Sequence, residues 1–198
     1  MCVFCQRDTL SNILYQSEHF LLLADHAPVV AGHILIVPRD HYTCYGAIPA
    51  PLDAEFLHLK ALVTGFCRAT YRTPVFFEHG VFHQTVFHAH LHVIPVGSFP
   101  DDIATIATEA GRPVVSQADI RDWYETQGHY FYLERLVGDD GASHAALFPP
   151  NQQLYYRVLG LLREQTGPPG GWSPQPMRRL TGTRKVQELT SAWRRYAD

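Results

Sequence analysis

Three histidines, His88, His90 and His92, stand at every second position of the stretch FHAHLHVIPV. Imidazole titrates near neutrality, and its neutral nitrogen is a good nucleophile toward phosphorus. The flanking residues Val86, Phe87, Val93, Ile94 and Val96 are β-branched or aromatic, so the stretch is predicted to be a strand. Alternation then sets the three rings on one face and Ala89, Leu91 and Val93 on the other. One histidine on a strand is ordinarily structural. Three on one face each need polar partners once buried, and packing alone does not account for them.

Alternate Cα positions lie about 6.6 Å apart along a strand, so His88 and His92 stand about 13 Å apart, and a single metal shared by all three is difficult. A nucleophile-centred arrangement fits better, with His90 attacking while its neighbours orient it and adjust its charge. The attacking nitrogen keeps its lone pair only if the second ring nitrogen donates to a fixed acceptor. Small polar groups beside the strand complete an anion site, and HQTV just upstream offers Gln84 and Thr85.

The 198 residues suit one domain with an appendage, and 46% hydrophobic against 18% charged residues provides for a core and excludes global disorder. A net charge of −3 argues against bulk nucleic-acid binding. That charge is uneven. From Met177 onward stand six basic side chains (Arg178, Arg179, Arg184, Lys185, Arg194, Arg195) against Glu188 and Asp198. Such a tail either docks on an acidic body or serves a polyanionic ligand. No run reaches the length of a membrane span, and the opening MCVFCQRDTL lacks the regions of a signal peptide, so the expected address is the cytoplasm. Cys2, Cys5, Cys44 and Cys67 do not make a disulfide framework in a chain this long.

The elements that must carry these residues are legible in outline. SEHFLLLADH and GHILIVPRDHY read as an antiparallel strand pair joined by the turn-like APVVAG. From Leu52 to Tyr71, Phe56, Leu59, Leu62, Val63 and Phe66 recur at helical spacing, with Asp53 as candidate cap and Pro74 as the stop. VFFEHG is a short strand before the histidine strand. A short helix is expected in PVGSFPDDIATIATEAG, a strand pair in HYFYLERL and SHAALFP around VGDDGA, then a helix in NQQLYYRVLGLLREQTG. PPGGWSPQP reads as a loop and TGTRKVQELTSAWRRY as the last helix. A boundary is expected near Gly111, giving a catalytic domain over residues 1–111 and an extension over 112–198 packed on the same domain.

The residues quoted above carry a family resemblance. His88-Ala-His90-Leu-His92-Val-Ile is similar to the His-φ-His-φ-His-φ-φ signature of the histidine triad (HIT) superfamily. MCVFC, ADH and GHILIVPRDHY fall in the family's order, and the resemblance covers about residues 1–96. It implies an α+β fold, with an antiparallel sheet of about five strands and flanking helices. It further implies attack on a nucleotide α-phosphorus, with His90 as nucleophile and His92 and His33 as supporting imidazoles. By the same resemblance Asp25 receives the ribose hydroxyls, Leu23 and His26 line the base pocket, and Gln84 and Thr85 hold phosphate oxygens and the leaving group. The sequence departs from the family at His83, where glycine is frequent. His79 and His83 either add imidazoles to the phosphate site or sit solvated on a loop.

Cys2-x-x-Cys5 matches a zinc-binding branch in which His41 and His88 complete a structural site; Cys₂His₂ is the closed tetrahedral set such zinc prefers. Cys44 and Cys67 are read as core residues. The implied function is hydrolysis of dinucleoside polyphosphates, nucleoside phosphoramidates or related conjugates. The alternatives are a nucleotidylyltransferase or phosphorylase passing the group to phosphate or a sugar phosphate, a metal-dependent hydrolase, and a nucleotide-binding sensor. A homodimer is expected, since related proteins join their sheets. The C-terminal segment is expected to shape the leaving-group side, with Arg178, Arg179, Arg184 or Lys185 meeting a polyphosphate.

Overall fold

The α-helical and β-strand assignments come from a computed structural model, which describes residues 2–97, 111–137, 142–166 and 173–197. Eight strands form one sheet: β1 (Ile13–Gln16), β2 (Phe20–Ala24), β3 (Ile34–Pro38), β4 (Pro74–Glu78), β5 (Leu91–Pro95), β6 (Arg112–Val114), β7 (Phe131–Leu136) and β8 (Ser143–Phe148). Among the described residues four α-helices accompany them: α1 (Asp53–Thr70), α2 (Gln117–Gln127), α3 (Gln152–Thr166) and α4 (Gln175–Ala197). The fold is α+β, with every strand pairing antiparallel in the order β1-β2-β3-β5-β4-β7-β8-β6. The expected five strands become eight, because β7 pairs with β4 and the extension continues the sheet of the first half.

The β2–β3 hairpin forms in the register Phe20↔Pro38 to Ala24↔Ile34, and all ten of its residues are buried. Both faces of this sheet are covered, which is why these strands read as continuous apolar runs and not as alternation. On one face Ile34, Ile36, Phe76, Leu91 and Val93 pack under Phe56, Leu59, Val63 and Phe66 of α1, with Trp193 of α4 added. On the other, Val75, Phe77, Ile94 and Phe131 pack under Tyr155, Val158 and Leu162 of α3. Beside them the N-terminal segment lays Phe4 over Leu21, Leu23, Leu35 and Val37. The gap between this segment and α3 is where a cavity opens.

Several expectations need correction. The histidine strand is shorter than predicted, with regular pairing confined to Leu91–Pro95. His88 and His90 lie in the stretch leading into it, because the Ala89 N–H is drawn to Tyr42 O (2.7 Å) instead of the β3 ladder. Asp53 does not cap α1. It is the first helical residue, and its carboxylate takes two 2.7 Å hydrogen bonds from Arg121. The last helix starts at Gln175, inside the expected loop. Helix α2 and the short edge strands β1 and β6 were not anticipated; α2 begins on a reciprocal Ser116–Asp119 capping box. The helix expected at 95–111 and the turn at 137–142 lie largely outside the described residues.

The two halves are joined at a buried carboxylate. Glu78, at the end of β4, accepts from Tyr45 N–H (2.8 Å) and from the Tyr130 hydroxyl (2.7 Å), while that hydroxyl oxygen accepts from Gly46 N–H (2.9 Å). Burial pushes the Glu78 carboxyl up to about 7. Two residues on, Gly80 has φ +53°, and a Cβ there would sit 2.4 Å from the Tyr130 ring. The turn into the histidine segment is therefore built against the extension. Among the described residues no helix is long and apolar enough to cross a membrane.

Candidate active site

A cavity of about 740 Å³ lies between the N-terminal segment and α3, and His90 and His92 are in its wall. The register explains why. His92 stands opposite Leu35 of β3 on one side and Phe77 of β4 on the other, and all three face the cavity. Ala89, Leu91 and Val93 point into the core under α1. Alternation thus survives even where the ladder does not.

Hydrogen bonding fixes the state of His90. Its Nδ1 is 2.7 Å from the carbonyl oxygen of His88, and a carbonyl can only accept, so the proton is on Nδ1 and the lone pair is on Nε2. The same carbonyl accepts from Gln84 Nε2 at 3.0 Å. Gln84 is buried and is absent from the described cavity lining, whereas Thr85 lines it. Gln84 therefore acts here on the carbonyl that holds His90. The His90 ring packs on Phe4 (centroids 5.5 Å apart) and against His92 (5.0 Å).

Behind His92 runs a polar chain. His33 Nε2 and His92 Nδ1 are 3.0 Å apart, and Val29 N–H is aimed at His33 Nδ1 at 3.3 Å. His33 Nδ1 is thus shared between a backbone donor and the Asp25 carboxylate, and His92 Nε2 is buried with no hydrogen-bond partner among the described residues. Asp25 stands at the far end, 3.3 Å from His33 Nδ1, with Oδ1 accepting from Ala27 N–H at 2.8 Å. Burial holds His33, His90 and His92 below the ordinary imidazole range, so all three are neutral at pH 7.

The structure brings Leu23, Asp25, His26, His33, Thr85, His90 and His92 to this one cavity. It also brings His79 and His83, and burial lowers His79 to about 3. His83 has φ +58° and its neighbour Val81 +78°, conformations that a β-branched residue rarely adopts. Sequence reasoning missed Phe4, Tyr155 and Arg163. Tyr155 stacks on His83 (4.8 Å, 29°) and its hydroxyl lies 3.4 Å from His79 Nδ1. Tyr155 and Arg163 carry no local signature; the pairing of β4 with β7 brings α3 here.

A second cluster lies behind His90. Cys2, Cys5, His41 and His88 bring one donor atom each within 4.8 Å of one another. Cys2 Sγ and Cys5 Sγ are 3.4 and 3.6 Å from His88 Nδ1, and Cys5 Sγ is 3.3 Å from His41 Nδ1. With Zn–S near 2.3 Å and Zn–N near 2.0–2.1 Å, the N···S edge of a tetrahedron is about 3.5 Å, so the set fits a zinc ion. His88 Nε2–H donates to Pro38 O at 2.8 Å, which aims the Nδ1 lone pair at the two sulfurs. Cys44 and Cys67 lie elsewhere in the core, their thiols raised to about 12 by burial.

Residues 6–98 match the HIT domain family. An uncharacterized HIT-like protein of Saccharolobus solfataricus is 32% identical over 116 residues, covering 52% of this chain and 79% of the relative. An adenylylsulfatase of Arabidopsis thaliana is 29% identical over 101 residues, 48% of this chain and 51% of that protein. Among solved structures, a HIT family protein from Bacillus anthracis aligns with TM-score 0.45 and 26% identity over 49% of this chain and 74% of that one. With its histidine segment inside the matched region and four-fifths of an archaeal relative covered, the chain belongs to the HIT family.

Proposed function

We propose that this chain is a nucleotide α-phosphate hydrolase acting through a nucleotidyl-His90 intermediate. The observation that carries the reading is the His90 Nδ1–H bond to the His88 carbonyl, which leaves Nε2 unprotonated in the cavity wall. Nε2 forms a bond to the α-phosphorus while the bond from phosphorus to the leaving group breaks, and the leaving atom keeps the electron pair. Water then attacks the same phosphorus, the N–P bond breaks, and nucleoside monophosphate leaves. The unpartnered His92 Nε2–H donates to a phosphoryl oxygen, held in place by His33. Asp25 receives the ribose hydroxyls, Leu23 and His26 line the base pocket, and Thr85 contacts the phosphate. The name of the Arabidopsis relative favours hydrolysis over transfer.

Cys2, Cys5, His41 and His88 hold a structural zinc, which supplies a cross-link and takes no part in the reaction. That all four cysteines are free suits a reducing cytoplasm. As a homodimer the chain would join sheets through β1 or β6, since β4 is already paired with β7. Sedimentation equilibrium at micromolar concentration is expected to return twice the 22.4 kDa chain mass; a single chain mass would refute the dimer.

The direct test of the mechanism is to mix enzyme with a dinucleoside polyphosphate or nucleoside phosphoramidate and quench in base, which preserves N–P bonds. Peptide mass spectrometry is expected to find one nucleotidyl group on the peptide containing His90. A working enzyme that never accumulates this adduct, even with a slow-resolving substrate, would overturn the reading.

A further inference from the structure

We infer that His83, in the turn segment after β4, is the general acid that protonates the departing atom of the substrate. The inference rests on His90 attacking a nucleotide α-phosphorus and adds the source of the proton that the leaving group carries away.

The sheet sets the two ends of the cavity. In the strand order β2-β3-β5-β4, Asp25 follows β2, His33 precedes β3, His90 and His92 belong to β5 and its lead-in, and His79 and His83 follow β4. Contacts keep that order. Asp25 is 3.3 Å from His33, His33 is 3.0 Å from His92, and the His79 ring lies 5.7 Å from that of His92 and 6.5 Å from that of His90. With the nucleoside on Asp25 and phosphorus at His90, the leaving group extends toward β4, where His79, His83 and Tyr155 line the cavity.

These three rings differ in what they can do with a proton. Burial lowers His79 to about 3, so it stays neutral at pH 7, and its Nδ1 faces the Tyr155 hydroxyl at 3.4 Å. Burial also raises that hydroxyl to about 12, so it keeps its proton. His83 is exposed. An imidazole open to water can take up and give up a proton within each turnover. Its position is nevertheless fixed. Tyr155 stacks on the ring at 4.8 Å, with Phe82 edge-on at 4.4 Å and Tyr156 at 5.9 Å. The backbone there has φ +58°, where glycine is at ease and a side chain is strained. Two aromatic residues of α3 thus clamp a strained side chain at the leaving-group end of the cavity.

In the first step the protonated His83 ring gives its proton to the leaving atom as the bond from phosphorus breaks, and the electron pair stays with that atom. The neutral ring then takes a proton from the water that attacks nucleotidyl-His90, which restores the acid. An amine cannot leave as its anion, so the need is greatest for an N–P bond. A nitrophenolate leaves without a proton.

The test therefore compares an alkylamine phosphoramidate and a nitrophenyl phosphate ester of one nucleoside. His83→Gly suits the backbone, and His83→Phe keeps an aromatic ring on Tyr155 without a transferable proton. In both variants kcat/KM for the phosphoramidate is expected to fall by roughly 10²–10³-fold, and that for the ester by less than about three-fold. Added imidazole is expected to restore phosphoramidate turnover in His83→Gly, where the ring has left a space, and not in His83→Phe. Equal losses on both substrates would give His83 a purely structural role, and phosphoramidate turnover retained in His83→Phe would mean that the ring only packs. Either result overturns the inference while leaving wild-type chemistry at His90 intact. Wild type that releases nucleoside monophosphate from neither substrate would instead strike the nucleotidyl-His90 reading, and the general acid with it.

Discussion

His90→Ala is expected to lower kcat by at least about 10⁴-fold, the scale seen when a covalent nucleophile is removed, with KM nearly unchanged. In the resting site His90 contributes a lone pair and no donor, so its loss takes little from substrate binding. No neighbour substitutes for it: the His79 ring is 6.5 Å away, and the His92 ring is tied through Nδ1 to His33. The residual rate comes from binding and from the donors that remain around the phosphoryl group. His92→Ala, which deletes one such donor, is expected to cost less, about 10²–10³-fold in kcat. The fold should survive His90→Ala. The ring borders the cavity, so its removal enlarges an open space and leaves no sealed void. Single-turnover rates at saturating substrate, with melting curves of both proteins, make the measurement. A His90→Ala enzyme within ten-fold of wild type would mean that water attacks phosphorus directly and that no adduct forms.

What the sequence made legible follows from the range of each signal. Alternation of His88, His90 and His92 against Ala89, Leu91 and Val93 is a local fact of chain geometry, and it separated the cavity-facing histidines from the core-facing residues even though the strand is shorter than expected. Helix α1 was readable because Phe56, Leu59, Val63 and Phe66 bury one stripe. Cys2 and Cys5 lie more than eighty residues from His88, and only the resemblance joined them; the structure then placed their donors at coordinating distance. The extension was opaque for the opposite reason. Tyr155 and Arg163 look like any residues of an amphipathic helix, and their presence at the cavity follows from β7 adding to the edge of β4. Gln84 shows a subtler limit. Its Nε2 donates to the His88 carbonyl, a contact that no spacing announces, because rotamers are not written in sequence.

Zinc removal is the second large effect expected, and it should act on stability before activity. The four donors draw the N-terminal segment onto the residue two positions before His90, and Phe4, carried between the two cysteines, packs edge-on against His88 (5.6 Å) and against His90. Without the ion, two thiolates or thiols face two imidazoles with no shared partner, and a short 3₁₀ turn must hold Phe4 alone. A ligand that binds only the folded chain at 1,000 times its Kd adds about 4 kcal/mol, and at about 2–4 °C per kcal/mol for a chain of this size its loss lowers Tm by roughly 10 °C. Elemental analysis should return one zinc per chain, and Cys5→Ser should reproduce the chelated melt without further loss on adding chelator. Turnover should fall as His88, and with it the carbonyl that orients His90, loses its anchor, and it should return when zinc is restored. Loss of turnover with Tm unchanged would instead make the ion a participant in the chemistry, and absence of zinc from protein purified without chelator would remove it altogether.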